Sequence, residues 1–154
     1  MTPGQAAPDF DALDQHGTRH RLTDYRGRWL ALYFYPRDDT PGCTKQACSI
    51  RDGHAALAAR GLTVLGVSAQ GAAAHAAFAG KFGLDFPLLI DDGLLIARRY
   101  GALGSGPIAL LRGWLGLYRR ISVLIDPEGR IARVIERPDV SRHADELLAL
   151  LPPH

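Results

Sequence analysis

The chain has 154 residues, 47% of them hydrophobic, enough for one well-buried domain over 1–154 and too few for two. Its formal charge of +2, with no run of five like charges, gives nucleic acid no particular claim as a partner. The opening MTPGQAAPDF has neither the basic and apolar regions of a secretory leader nor an Arg- and Ser-rich amphipathic character, so a cytoplasmic protein is expected.

From Ala7 onward a short strand is expected around Phe10 to Leu13, a turn at Gln15 to Thr18 and a second strand through Leu22, with Gly27 closing the segment. This is a hairpin that covers a sheet edge. Trp29 to Tyr35 is a nearly continuous apolar, aromatic-rich run, the pattern of a central strand buried on both faces, and Pro36 stops it. Arg37 to Gly42 reads as a loop. From Cys43 the alanines at 47, 55, 56, 58 and 59 favour a helix, with Gly61 in the place of a C-cap glycine. Leu62 to Val67 is the next strand, so strand, helix and strand form a parallel βαβ unit.

Ala72 to Phe82 is helical, with Phe78 and Phe82 on one core-facing side and Gly83 ending it. A strand over Phe86 to Ile90 and a short helical segment through Leu94, Leu95, Ala97 and Tyr100 follow. Gly101, Gly104 and Gly106 follow no strand and lack the order of a phosphate loop. Leu103 to Tyr118 is mostly apolar but interrupted by glycine, proline and Arg112, and it is shorter than the ~20 residues a membrane span needs. It is read as a wall of the pocket, a self-contact, or a loop folded onto the core. Arg120 to Ile125 and Arg130 to Glu136 are hairpin strands around the turn Asp126 to Gly129, and Ser141 is placed to cap a last helix that Pro152 ends.

The two cysteines, Cys43 and Cys48, are too close together to staple a fold, and such a pair in a reducing compartment is catalytic or metal-binding. Zinc would need further ligands at short spacing; His16 and His20 are four apart, but the turn residues Gly17 and Thr18 separate them, so no metal is expected. Cys43 sits where a central strand hands over to a helix N-terminus. Unpaired amides and the positive end of the helix dipole stabilise an anion there, and the thiolate is the expected state. Thr40 can turn its hydroxyl toward the sulfur or a bound oxygen, while Pro36 and Pro41 stiffen the loop.

The spacing Pro36-x-x-x-Thr40-x-x-Cys43 resembles the signature of the peroxiredoxins. With Cys48, the run DDTPGCTKQACSIRD is similar to the bacterioferritin comigratory protein, or peroxiredoxin Q, subfamily. APDF, LTVLGVS, KFGLDFPLLID and RISVLIDPEGRI extend the match over most of the chain. The resemblance implies a thioredoxin-like α/β fold: a central mixed sheet flanked by helices, with an N-terminal β-hairpin. It also implies a site of Cys43, Thr40 and Arg120, with Pro36, Pro41 and Gly42 lining the substrate pocket. Arg120 is the family arginine two residues before a Ser or Thr, here Ser122.

The implied activity is reduction of hydrogen peroxide and organic hydroperoxides. Cys43 would pass through a sulfenic acid and Cys48 would condense with it to an internal disulfide, which thioredoxin or a similar dithiol reduces. No cofactor and no membrane span are implied, and the expected state is a monomer, with a weak dimer as the alternative. Two departures from the family stand out: Gln70 in place of an acidic residue, expected to affect only a surface loop, and the apolar stretch Leu103 to Tyr118. The rival readings are a protein thiol–disulfide oxidoreductase, for which C-x-x-C is absent, and a redox-responsive binding protein that docks a partner through Leu103 to Tyr118.

Overall fold

The apolar run Trp29–Phe34 forms strand β3 at the centre of a five-stranded sheet. The computed structural model describes residues 1–153. The sheet order is β5 (Leu88–Ile90), β4 (Leu62–Ser68), β3, β6 (Ile121–Ile125), β7 (Ile131–Ile135). β3 runs parallel to β4 and antiparallel to β6. Strand alternation divides its side chains between two layers. Leu30, Leu32 and Phe34 pack with Tyr100 and Tyr118 on one face; Ala31, Tyr33 and Tyr35 pack with Cys43, Ala47 and Ile50 on the other. This is why the run carries no polar residue.

Helices α1 (Pro41–Ala59), α2 (Ala72–Phe82) and α5 (His143–Leu150) supply the second layer through Ile50, Leu57, Phe78 and Leu147. α3 (Leu95–Tyr100) serves the first through Ile96, Ala97 and Tyr100. The hairpin β1 (Asp11–Leu13) and β2 (Arg19–Arg21) reaches the β5 edge by an Asp14–Leu89 bridge, reinforced by Gln15, whose side chain bonds Phe86 O and Leu88 N. At the opposite edge Gly4 N donates to Ile131 O and Ile131 N to Gln5 O. The β5 edge and the start of β7 are therefore covered, which shortens the open strand available as a pairing template.

Three local expectations need correction. α1 begins at Pro41, two residues before Cys43, because proline's fixed φ suits the first helical position and its missing N–H costs nothing there. Ser141 does not cap α5: its Oγ donates to Asp139 Oδ1 at 2.7 Å, Arg142 occupies the cap position, and Ala144 N donates across to Ser49 Oγ of α1 at 3.2 Å. Within the stretch Leu103 to Tyr118, residues Gly106–Leu115 form a helix, α4, rather than a loop folded onto the core. Leu103 and Tyr118 are buried, but no residue of α4 itself is. Among the described residues no helix is long and apolar enough to cross a membrane.

α1 and α5 meet at Gly53, where an added Cβ would lie 2.5 Å from Ala144 Cβ. Alanine ordinarily improves a helix interior by up to ~1 kcal/mol over glycine, but overpacking costs about 1–3 kcal/mol, so the clash wins. Gly53→Ala lowers stability in urea unfolding; a stabilised variant would show that the two helices stand farther apart.

Candidate active site

Because β3 and β6 are antiparallel and pair Phe34 with Ile121, the loop after β3 and the residue before β6 meet at one sheet edge. That brings Arg120 to Cys43 across 77 residues of sequence. Arg120 Nη2 donates to Cys43 Sγ at 3.3 Å and Nη1 donates to Gln46 Oε1 at 2.6 Å. Cys43 is 1% exposed and Gln46 fully buried. A Cβ on Gly42 would come within 3.1 Å of Arg120 Nη2, so glycine there lets the guanidinium approach. Gln46 was not singled out from sequence, although it lies three residues beyond Cys43 and hence on the same side of the helix.

Thr40 takes the N-cap position of α1 and Pro41 the first helical one, which puts Cys43 in the first turn, beside amides that have no acceptor within the helix. The Thr40 hydroxyl does not point to sulfur. It donates to Arg37 O at 2.9 Å, while Thr40 O accepts from Thr44 N at 2.8 Å. Pro36 is half-buried and Pro41 exposed at the mouth of this loop. Cys48 lies on the same uninterrupted helix, half-buried, and both thiols are free. Five residues of α-helix separate the two Cα atoms by about 8.6 Å and turn the side chains about 140° apart.

Residues 3–134 match the model of the AhpC/TSA family. Peroxiredoxin Bcp of Escherichia coli K12 is 38% identical over 154 residues, covering 100% of this chain and 97% of that protein. The chain belongs to the AhpC/TSA family, among its Bcp/peroxiredoxin Q members. The peroxidoxin BcpB of Mycobacterium tuberculosis superposes with a TM-score of 0.84 at 33% identity, over 98% of this chain and 96% of that one. The Xanthomonas campestris bacterioferritin comigratory protein, studied for its alkyl peroxide reduction activity, superposes at 0.85 with 28% identity over 97% of each chain. The thioredoxin-like fold implied by the cysteine motif is thus the fold adopted, and the homologues support thiol-dependent peroxidase activity.

Around this peroxiredoxin motif a second ring of contacts holds the loop. The Asp38 carboxylate accepts from Tyr35 Oη at 2.6 Å and meets His75 Nδ1 at 2.6 Å, while His75 Nε2 reaches Leu89 O at 2.8 Å. Asp38 N donates to Gln70 Oε1 at 3.0 Å, and Ser68 Oγ donates to the same oxygen at 2.9 Å. Gln70 is therefore more than a surface-loop residue: it ties the loop after β3 to the end of β4. Sequence gave no sign of this clamp.

A buried chain runs on the other side of Arg120. Ser122 Oγ lies 2.7 Å from His143 Nε2, and His143 Nδ1 lies 2.9 Å from Glu146 Oε1. Burial drives the His143 pKa below its ordinary 6.5, and the Arg120 charge pushes the same way against Glu146. The fold thus holds His143 neutral where the unfolded chain takes up a proton. Stability should fall as pH drops through about 6.5, with a slope of at most about 1.4 kcal/mol per pH unit from this group. The difference in unfolding free energy between wild type and His143→Gln, followed from neutral pH to about pH 5, isolates it. Equal slopes in the two proteins would assign the acid sensitivity elsewhere.

Proposed function

We propose that the chain is a two-cysteine peroxiredoxin in which Cys43 is the peroxidatic nucleophile, Arg120 its charge partner and Cys48 the resolving cysteine. The observation that carries this reading is the Arg120 contact to Cys43 Sγ in the first turn of α1. A guanidinium and free amides around one sulfur favour the thiolate and stand ready for the charge that develops on a departing oxygen.

In the cycle, the thiolate attacks one oxygen of a hydrogen peroxide or organic hydroperoxide and the O–O bond breaks. Sulfur is oxidised to sulfenic acid, and the leaving oxygen takes a proton to depart as water or alcohol. The Thr40 hydroxyl, now on Arg37 O, can rotate to the bound peroxide, and Pro36, Pro41 and Gly42 frame the entry. Cys48 sulfur then attacks the sulfenic sulfur, expelling water and forming a disulfide. A dithiol such as thioredoxin reduces that bond by exchange and is itself oxidised. The chain acts in this reading as a single-domain monomer in the cytoplasm.

Peroxide consumption coupled to thioredoxin tests the assignment. Cys43→Ser should abolish it, because serine offers no anion at neutral pH. Arg120→Ala should leave the fold intact but slow the peroxide step about 10- to 100-fold, the worth of one charge-assisted hydrogen bond. Substantial turnover by Cys43→Ser would place the nucleophile elsewhere.

The helix imposes a further condition. A disulfide needs Cα atoms within about 7 Å with facing Cβ vectors, which two cysteines five apart on one helix do not offer. The first turns of α1 must therefore unwind after sulfenic acid forms. Amide exchange from Thr44 to Ile50 should be faster in the oxidised protein than in the reduced one, while β3 is unchanged. Equal protection in a sample with a verified Cys43–Cys48 bond would exclude this route.

A further inference from the structure

Helix α4 is amphipathic in the wrong direction for a helix lying on a folded body. Its small residues face inward: Ala109 packs against the core, and a Cβ on Gly113 would sit 3.6 Å from Leu103 Cδ1. Its large apolar residues face outward, with Leu110 at 78% and Trp114 at 84% exposure and Ile108, Leu111 and Leu115 each about half exposed. A surface helix normally turns such a stripe toward the core. Gly116, in the left-handed region, closes the helix.

The chain segment that carries this helix has charge of one sign. Residues 93–125 contain five arginines and no acidic residue, which leaves the rest of the chain at −3. Arg98 and Arg99 are exposed, and the Arg98 guanidinium runs beside α4, 3.8 Å from where a Gly113 Cβ would be. Arg112, within the helix, donates to Leu103 O. Among the described residues none of Arg98, Arg99, Arg112 and Arg119 pairs with a carboxylate.

A second copy fits this face poorly. Two-fold pairing would set arginine against arginine with no acid between them. Ten helical residues are also only about 15 Å long and about 10 Å wide, short of the roughly 800 Å² per partner that a stable dimer buries. An anionic lipid surface fits both features: an exposed Trp and aliphatic stripe enters the headgroup–acyl boundary, and flanking arginines meet lipid phosphates. We propose that α4 docks this protein on anionic membranes as a peripheral, interfacial helix.

The test is co-sedimentation of the full protein with vesicles of phosphatidylcholine mixed with phosphatidylglycerol, against vesicles of phosphatidylcholine alone. Binding should be at least about tenfold stronger on the anionic vesicles and should weaken as salt screens the arginines. Trp114→Ser and Leu110→Ser should each weaken it about tenfold. Both sites are exposed, so thermal midpoints should hold, and each variant checks the other. Arg98→Gln should cost about fivefold on anionic vesicles and nothing on neutral ones. The proposal is overturned by absence of binding, by equal binding to the two vesicle types, or by binding that both apolar variants leave unchanged. A dimer in solution that Trp114→Ser disperses would instead give the face to a second copy. These readouts need no peroxidase activity, so they stand apart from the role of Cys43.

Discussion

The contact on which the site depends is the one between the Arg120 guanidinium and the Cys43 sulfur. Neither residue is held by its own element alone. Arg120 is placed by the β3–β6 register, Cys43 by the β3-to-α1 turn, and Gln46 locks the two together from the next turn of the helix. Arg120 is half-buried, and a cation so placed loses part of its hydration and needs partners in exchange. Here Nη2 meets the sulfur and Nη1 the Gln46 amide oxygen, so the two ends of the guanidinium are engaged at once. Glycine at 42 eases this approach, since a Cβ there would lie 3.1 Å from Nη2 and push the guanidinium back by a few tenths of an ångström.

In the proposed cycle the same helix meets two opposed demands, order around Cys43 for the first step and disorder for the second. Its composition separates them along its length. At the N-terminus the Thr40 hydroxyl is diverted to Arg37 O, so the cap bond that commonly adds ~1 kcal/mol is absent. Between the cysteines only Gln46 and Ala47 are buried, and Ala47 has little apolar surface to lose. Beyond Cys48 the helix is anchored by Ile50 and Leu57 in the core and by Ser49 holding Ala144 N of α5. Unwinding up to Cys48 gives up the Gln46–Arg120 bond but little apolar burial, and beyond Cys48 it is resisted by the core.

Much of this could be read along the chain. The aromatic run of β3 is decisive because burial on both faces leaves no position for polar residues, and the cysteine block is dense enough to carry its own identification. Arg120 is legible only through the family resemblance, as the arginine two residues before Ser122, and not from any local property. What could not be read were contacts closed over long separations: Gln70 and His75 reach Asp38 across 32 and 37 residues. Nothing in the neighbourhood of a glutamine announces such a role. Ser141 departs from expectation for a related reason. A serine before a helix is a good cap only if no nearer acceptor competes, and Asp139 does. For α4 the apolar content was evident, but the side on which it would lie was not, since its inward positions are defined by small residues and carry no hydrophobic signal.

The connection that bears α4 ends directly in Arg119 and Arg120, which raises the question whether events at that exposed helix reach the sulfur. The structure places two fixed points between them. Tyr118 is buried and donates its hydroxyl to Asp91 Oδ2 at 2.7 Å, and the same carboxylate accepts from Ile96 N and Ala97 N at the start of α3. Arg119 N donates to Ala102 O at 2.7 Å, closing the loop 102–119 at its neck. Asp91 therefore joins α3, the return of the chain and the end of β5 in one buried node. α4 can be covered or uncovered as an appendage of this neck without moving the strand that aims Arg120. The position of the cation is set by the sheet, and the surface chemistry of the connection is free to differ from that of other family members without disturbing it.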